Sequence, residues 1–258
     1  MRARDISAGA PCWMDLNTSD TTAARSFYTG LFGWTADEPQ EEFGGYFMFN
    51  GAGGQPVAGC MPAMEGGAHD VWSVYLAVAD VSKTLESVPG HGGQVLVPAM
   101  QVGEAGTMAV ALDPAGAAIG LWQADQFGGI ANAGEPGLPS WFELNARAYD
   151  AQTAFYRDVF GWNVQQLMSE PFRYSVLSHG DDQLAGIMDG GEDFAWSVYI
   201  WTNDVDATLA RAGELGGKVI RPAKDTPYGR LATAEDPCGA RFKLMAPNAQ
   251  MPGGRPAS

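Results

Sequence analysis

The sequence predicts an α+β fold made of two tandem copies of one unit, and three observations carry that expectation. Blocks of residues recur in the same order in the two halves of the chain. Within each copy the apolar spacing switches between the alternation of a strand and the three-to-four spacing of a helix, at matching places. The composition, 46% hydrophobic and 17% charged over 258 residues, suits a chain with a real core and room for two small domains.

The repeat is read by comparing the chain with itself. Trp13-Met14-Asp15-Leu16-Asn17 returns as Trp141-Phe142-Glu143-Leu144-Asn145, and Phe27-Tyr28 returns as Phe155-Tyr156. Leu31-Phe32-Gly33-Trp34 becomes Val159-Phe160-Gly161-Trp162, and Trp72-Ser73-Val74-Tyr75-Leu76 becomes Trp196-Ser197-Val198-Tyr199-Ile200. Gly92-Gly93-Gln94-Val95 matches Gly216-Gly217-Lys218-Val219, and Asp113-Pro114-Ala115-Gly116-Ala117 matches Asp236-Pro237-Cys238-Gly239-Ala240. Matches in one order along the chain are the mark of a duplication.

The elements of the first copy follow in order. Residues 13–17 alternate as a strand. Ser19-Asp20-Thr21 offers helix-capping side chains, and residues 23–31 read as a helix with Phe27, Tyr28 and Leu31 on one face. Gly33 is a natural left-handed stop. Residues 46–50 and 56–61 are short strands around a Gly-rich turn, and 73–78 is another strand. A second helix starts near Asp80 and stops at Pro89-Gly90. Strands follow near 94–97, 107–112 and 118–122. Asp-Pro-Xaa-Gly turns the chain between the last two, because Pro presets φ and Gly supplies a positive one. The second copy repeats this order. The expected divisions are a first domain over 8–125, a linker over 126–138, a second domain over 139–248 and a disordered tail over 249–258, the seam being marked by Gly128, Gly129, Gly134, Pro136 and Gly137.

Charge and cysteine content narrow the function. The formal net charge is −15, which argues against nucleic acid or an anionic membrane as partner and is compatible with a cationic ligand. Cys12, Cys60 and Cys238 are odd in number and scattered, so no disulfide framework is expected. No apolar run reaches the length of a membrane helix, and the first ten residues lack the apolar centre of a signal peptide. A reduced, cytoplasmic protein is the expectation. Gly-rich stretches lack the strand–Gly-x-Gly-x-x-Gly–helix setting of a nucleotide site, and no Gly-x-Ser-x-Gly elbow is present.

Taken together, a strand, a helix ending in Phe-Tyr and Gly-Trp, a strand before Val-Xaa-Asp-Val, and Asp-Pro-Xaa-Gly before a last strand resemble the vicinal oxygen chelate (glyoxalase/bleomycin-resistance) superfamily. The resemblance runs from about Pro11 to Pro247 and occurs twice. It implies domains of paired βαβββ units, each forming a half-open cup that holds a small molecule. Metal-using members of the family place ligands at the start of the first strand, at the start of the strand before Val-Xaa-Asp-Val, and at a Glu in the final strand. Here those positions are Trp13, Ser73 and Gly120 in the first copy, and Trp141, Ser197 and Lys243 in the second. Neither set offers the His, Asp, Glu or Cys donors that a divalent metal needs. His69, His91 and His179 lie elsewhere. No metal and no other cofactor is expected.

With the ligand positions setting the phase, alternation assigns faces. Trp13, Asp15, Asn17, Ser73, Tyr75, Ala118, Gly120 and Trp122 face the first cup, and Trp141, Glu143, Asn145, Ser197, Tyr199, Trp201, Arg241, Lys243 and Met245 the second. Leu16, Val74, Leu76, Ile119, Leu121, Phe142, Leu144, Val198, Ile200 and Phe242 should pack under the helices. The candidate ligand-binding residues are Trp13, Asp15, Tyr46, Tyr75, Trp122, Trp141, Glu143, Tyr174, Tyr199 and Trp201. No catalytic residue is assigned. An aromatic lining with a few polar groups suits a flat conjugated molecule. The resemblance extends to two-domain members from actinomycete antibiotic clusters, and implies a metal-free protein that carries or sequesters a bulky, anthracycline-like aromatic product. Its role would be self-resistance or support of a late oxidation, with a biosynthetic oxygenase as a further partner. The alternatives are a lyase, isomerase or cofactor-independent oxygenase of the same superfamily, and an interaction module with vestigial cups.

Overall fold

A computed structural model describes residues 9–63, 69–130, 135–169, 171–190 and 194–251. Most of the expected tail, the first eight residues and part of the expected linker lie outside the described residues. The first copy runs β1 (Pro11–Thr18), α1 (Thr21–Phe32), β2 (Thr35–Ala36), β3 (Phe47–Asn50), β4 (Pro56–Pro62), β5 (Val71–Ala77), α2 (Val81–Ser87), β6 (Gln94–Val102), β7 (Gly106–Leu112) and β8 (Ala118–Ala124). The second runs β9 (Pro139–Ala146), α3 (Tyr149–Phe160), β10 (Asn163–Met168), β11 (Tyr174–His179), β12 (Asp182–Asp189), β13 (Trp196–Trp201), α4 (Val205–Glu214), β14 (Lys218–Thr226), β15 (Gly229–Glu235) and β16 (Arg241–Ala246).

These strands form two eight-stranded sheets, one per copy, ordered β2-β3-β4-β1-β5-β8-β7-β6 and β10-β11-β12-β9-β13-β16-β15-β14. Each sheet contains the same βαβββ unit twice. In every unit the first strand pairs in parallel with the last: β1 with β4, β5 with β8, β9 with β12 and β13 with β16. The fold is α+β with tandem duplicated domains, as the repeat predicts.

The helix ends have local causes. Asp20 caps α1 by accepting hydrogen bonds from the amides of Thr22 and Ala23, and Gly33 ends it at φ 69°. Asp80 and Asp204 cap α2 and α4 in the same way. Helix α2 ends at Ser87, just before the expected stop at Pro89-Gly90. Proline tolerates a first helical position, and a 3-10 turn continues over Pro89–His91 before Gly92 ends it at φ 83°. Strand β6 also runs further than its apolar residues suggest, to Val102, because it pairs with β7 across two register shifts.

The chain clusters into two compact units that do not coincide with the two copies. One takes the described residues of Met1–Trp13, Ser73–Gly129 and Trp141–Ser197, and the other those of Met14–Trp72, Ile130–Ser140 and Val198–Ser258. Each unit therefore joins half of one copy to half of the other, and its core shows how. In the second unit α1 lays Phe27, Tyr28 and Phe32 around Phe242 of β16, with ring centroids 6.0, 5.9 and 5.9 Å apart. Tyr28 donates to the Asp236 carboxylate at 3.1 Å and accepts from the Trp72 indole at 3.1 Å. In the first unit Tyr156 donates to Asp113 at 3.2 Å and accepts from Trp196 at 2.8 Å. The Phe-Tyr motif of each copy is thus held by the Asp-Pro-Xaa-Gly turn of the other. The residues assigned to the helix-covered faces are all buried, from Leu16 and Val74 to Ile200 and Phe242.

The paired glycines serve the same fit. Gly93 and Gly217 carry no side chain because one would press into the ring of Phe155 or Phe27 respectively, each ring coming from the other copy. Among the described residues no helix is long and apolar enough to cross a membrane.

Candidate functional site

The faces assigned to a ligand carry residues that pack tightly. Trp13, Asp15, Tyr75, Trp122, Glu143, Tyr199 and Trp201 are buried, while Tyr46, Trp141 and Tyr174 are half-buried. Asp15 and Glu143 are each only 5% exposed, so each carboxylate has left bulk water and needs polar company.

In the unit built on α1 and α4, Asp15 of β1 accepts a hydrogen bond from the Tyr46 phenol at 3.0 Å. Gly59 lies opposite Asp15 in the β1–β4 register. Any Cβ there would overlap both the Tyr46 hydroxyl and the Asp15 carboxylate, so glycine is what lets the pair form. On the β13–β16 pair Tyr199 stands in register with Lys243, whose ammonium lies 4.9 Å from the ring centroid, a cation–π contact. Trp201 ends β13 and is tied through its backbone amide to Leu138 at 2.9 Å. A groove of about 330 Å³ runs past it, along Leu31, Phe32, Gly137, Asn203 and Arg211. The other residues predicted for the site do not line that groove.

In the unit built on α2 and α3, Tyr75 of β5 stands in register with Gly120 of β8, and the tyrosine ring fills the space a side chain at Gly120 would need. Trp122 donates its indole N–H to the Phe127 carbonyl at 2.8 Å, and Trp13 meets the Phe127 ring edge-on at 4.8 Å. Phe127, in the seam between the copies, escaped the sequence reading because it belongs to no strand and no repeat. The Trp141 indole donates to the Tyr174 hydroxyl at 3.1 Å. That hydroxyl sits over Gly186, which faces Glu143 in the β9–β12 register. Asn145 donates to the Ser197 hydroxyl at 3.1 Å.

Gly59 and Gly186 were missed as well, although a signal for them exists. Ala58-Gly59-Cys60-Met61 and Ala185-Gly186-Ile187-Met188 form one more repeated block. In both copies its glycine lies under a tyrosine hydroxyl.

The positions at which metal-using family members carry ligands do not fit a metal. Indole, hydroxyl and a bare Cα occupy them in the first copy, and indole, hydroxyl and ammonium in the second. A lysine ammonium repels a cation. Among the described residues no three His, Cys, Asp or Glu side chains are grouped to hold a metal ion. Cys60 is disfavoured as a nucleophile, since burial, aided by the charges of Asp15 and Asp236, pushes its thiol up to about 12. What these positions present is aromatic rings joined by directed hydrogen bonds, such as Tyr46 to Asp15 and Trp141 to Tyr174.

Comparison with known proteins places the chain in a family. The family model described as Glyoxalase/Bleomycin resistance protein/Dioxygenase superfamily matches residues 12–121 and again 139–244. A Mycobacterium tuberculosis protein, CFP32, provisionally named a glyoxylase, is 39% identical over 251 residues, covering 94% of this chain and 96% of its own. The anthracycline biosynthesis protein DnrV of Streptomyces peucetius is 35% identical over 258 residues, covering 93% and 94%. Among solved structures, the 2,3-dioxygenase LapB from Pseudomonas sp. KL28 superposes with a TM-score of 0.67 at 14% identity, covering 98% of this chain and 96% of that one. At that identity the likeness is one of fold.

Proposed function

This chain belongs to the glyoxalase/bleomycin resistance protein/dioxygenase superfamily, and we propose that within it the protein binds a bulky aromatic natural product without the help of a metal. The observation that carries the proposal is the exchange of residue types at the family's ligand positions. Where metal donors would stand there are Trp13 and Trp141, Ser73 and Ser197, Gly120 and Lys243. In one unit Tyr75 lies over Gly120 and Tyr174 accepts from Trp141, and in the other Tyr46 donates to buried Asp15 and Tyr199 stands beside Lys243. Such a wall gains by burying the area of a conjugated ring system and by stacking on it. Tyrosine hydroxyls and carboxylates then select for phenol, carbonyl or amino groups on the ring edge. A relative at 35% identity named for anthracycline biosynthesis makes an anthracycline-like molecule the first ligand to try. In this reading the protein sequesters the compound for self-resistance or presents it to a biosynthetic oxygenase.

A second reading, enzymatic turnover, is favoured by one observation. Tyr46 hydrogen-bonded to a buried carboxylate at 3.0 Å is a pair able to move a proton, and a relative at 39% identity carries a glyoxylase name.

The deciding experiment titrates intrinsic tryptophan fluorescence with daunorubicin, on protein first assayed for bound metal. Saturable quenching with no stoichiometric metal is expected, and Trp141→Ala should weaken it. Absence of quenching, or one metal per chain with turnover of a thiol adduct of an α-keto aldehyde, sinks the binding reading in favour of the enzyme.

A further inference from the structure

We propose that Phe127, a ring of the chain itself, closes the first copy to an aromatic ligand, so that one ligand binds per chain, in the second copy. This rests on the binding role proposed above and assigns that role to one copy. Phe127 belongs to the unit built on α2 and α3, where it meets two indoles. The Trp13 ring stands edge-on to it at 4.8 Å and 87°, and the Trp122 ring at 6.2 Å and 75°. Both are the edge-to-face contacts by which flat rings attract one another. Both indoles are buried. Phe127 thus already gives Trp13 and Trp122 the contact that a ligand ring would make with them.

The segment that carries the ring is fastened on both sides. The amides of Asp125 and Phe127 donate to the Ala105 carbonyl at 3.0 and 3.1 Å, and that of Gln126 to the Glu104 carbonyl at 3.2 Å. The Phe127 carbonyl accepts from the Trp122 indole at 2.8 Å. Two residues on, Gly129 turns at φ 97° against the Cys12 carbonyl, where any Cβ would overlap. A ring held in this way is a fixed filling rather than a lid. The second copy encodes no such filling. The repeat sets Gln250 at the place of Phe127, Met245 at that of Trp122 and Pro252 at that of Gly129. Trp141, the counterpart of Trp13, is half-buried and stands in no ring pair among the described residues.

The test counts daunorubicin bound per full-length chain by equilibrium dialysis. Wild type should take one. Phe127→Ala should take two, because it removes the ring and keeps the backbone that fastens the segment. Phe127→Ala combined with Trp13→Ala should return to one, which places the added ligand in the first copy. A measurement on wild type needs no variant: in fluorotryptophan-labelled protein, the ligand should shift the fluorine resonance of Trp141 and leave that of Trp13 in place. Two ligands on wild type, a shifted Trp13 resonance, or a single ligand on Phe127→Ala would each overturn the closure while the binding function stands. A single ligand held about tenfold more weakly by Phe127→Ala would make the ring part of the ligand's wall, and overturns it too. Should wild type take none and Phe127→Ala one, the closure stands and the binding function falls. Should neither take any, both fall.

Discussion

Asp236 accepts three backbone amides, from Cys238, Gly239 and Ala240, on one carboxylate oxygen and the Tyr28 phenol on the other. Asp113 is placed alike, accepting from the amides of Ala115 and Ala117 and from Gln152 and Tyr156. Removing the phenol should therefore strand two buried groups together. Tyr28→Phe leaves the Trp72 indole without its acceptor and the second carboxylate oxygen of Asp236 without its phenol donor, and should cost about 1–3 kcal/mol in a urea titration. Burial raises the Asp236 carboxyl above the usual carboxylate range, although the amides and the Tyr28 phenol pull it back. A raised folded-state pKa means that the folded chain binds the extra proton. The stability this group contributes is complete below its unfolded pKa, near 3.9, and is lost as pH rises through the folded value. Subtracting the stability of Asp236→Asn from wild type at each pH should thus leave a difference that declines above about pH 4. A difference that rises instead would mean that Asp236 is held low. Asp206, lowered by its hydrogen bonds from Arg230, acts in the opposite sense and loses its contribution as pH falls.

At the scale of the element, α1 and α3 occupy matching places but start differently. Asp20 caps α1, whereas the capping position before α3 is Ala148, whose side chain cannot cap. Gln152 substitutes from within the helix. It accepts from the Ala148 amide at 2.9 Å and donates to buried Asp113 at 2.6 Å. Gln152→Ala should cost about 2 kcal/mol in thermal or urea unfolding, since it removes both a cap and a bond to a buried carboxylate. A loss near zero would show that another group takes over one of these bonds. The cap of α1 was readable from Ser19-Asp20-Thr21, because capping depends on neighbours in sequence. The role of Gln152 was not, because its second partner lies 39 residues away. Strand β2, two residues long, is likewise too short to leave a periodic trace.

At the scale of the molecule, each compact unit draws residues from both copies. A half-chain should therefore be a poor folding unit. Fragments 1–130 and 131–258, purified apart, should show weak cooperative unfolding or self-association, and on mixing should give a one-to-one complex with a sharp transition. Two stable monomers that ignore each other on a sizing column would contradict the interleaved arrangement. The same arrangement explains why so many repeated motifs are structural. Phe-Tyr, Gly-Gly and Asp-Pro-Xaa-Gly recur because each copy must lock onto the other, while the candidate site rests on Trp13 and Trp141, on Tyr46 and Tyr174, and on the glycines beneath those tyrosines.

The sequence by itself determined the duplication, the α+β order of elements and the absence of metal donors at the family's ligand positions. Alternation, caps and turns are local properties, and residue types at aligned positions need no coordinates. Tertiary structure alone decided which motif meets which. Tyr28 reaches Asp236 across 208 residues of chain, Gly217 admits Phe27, and Lys243 settles over Tyr199. Such contacts are set by how distant surfaces fit once the chain has folded, and nothing in the spacing of neighbours records them.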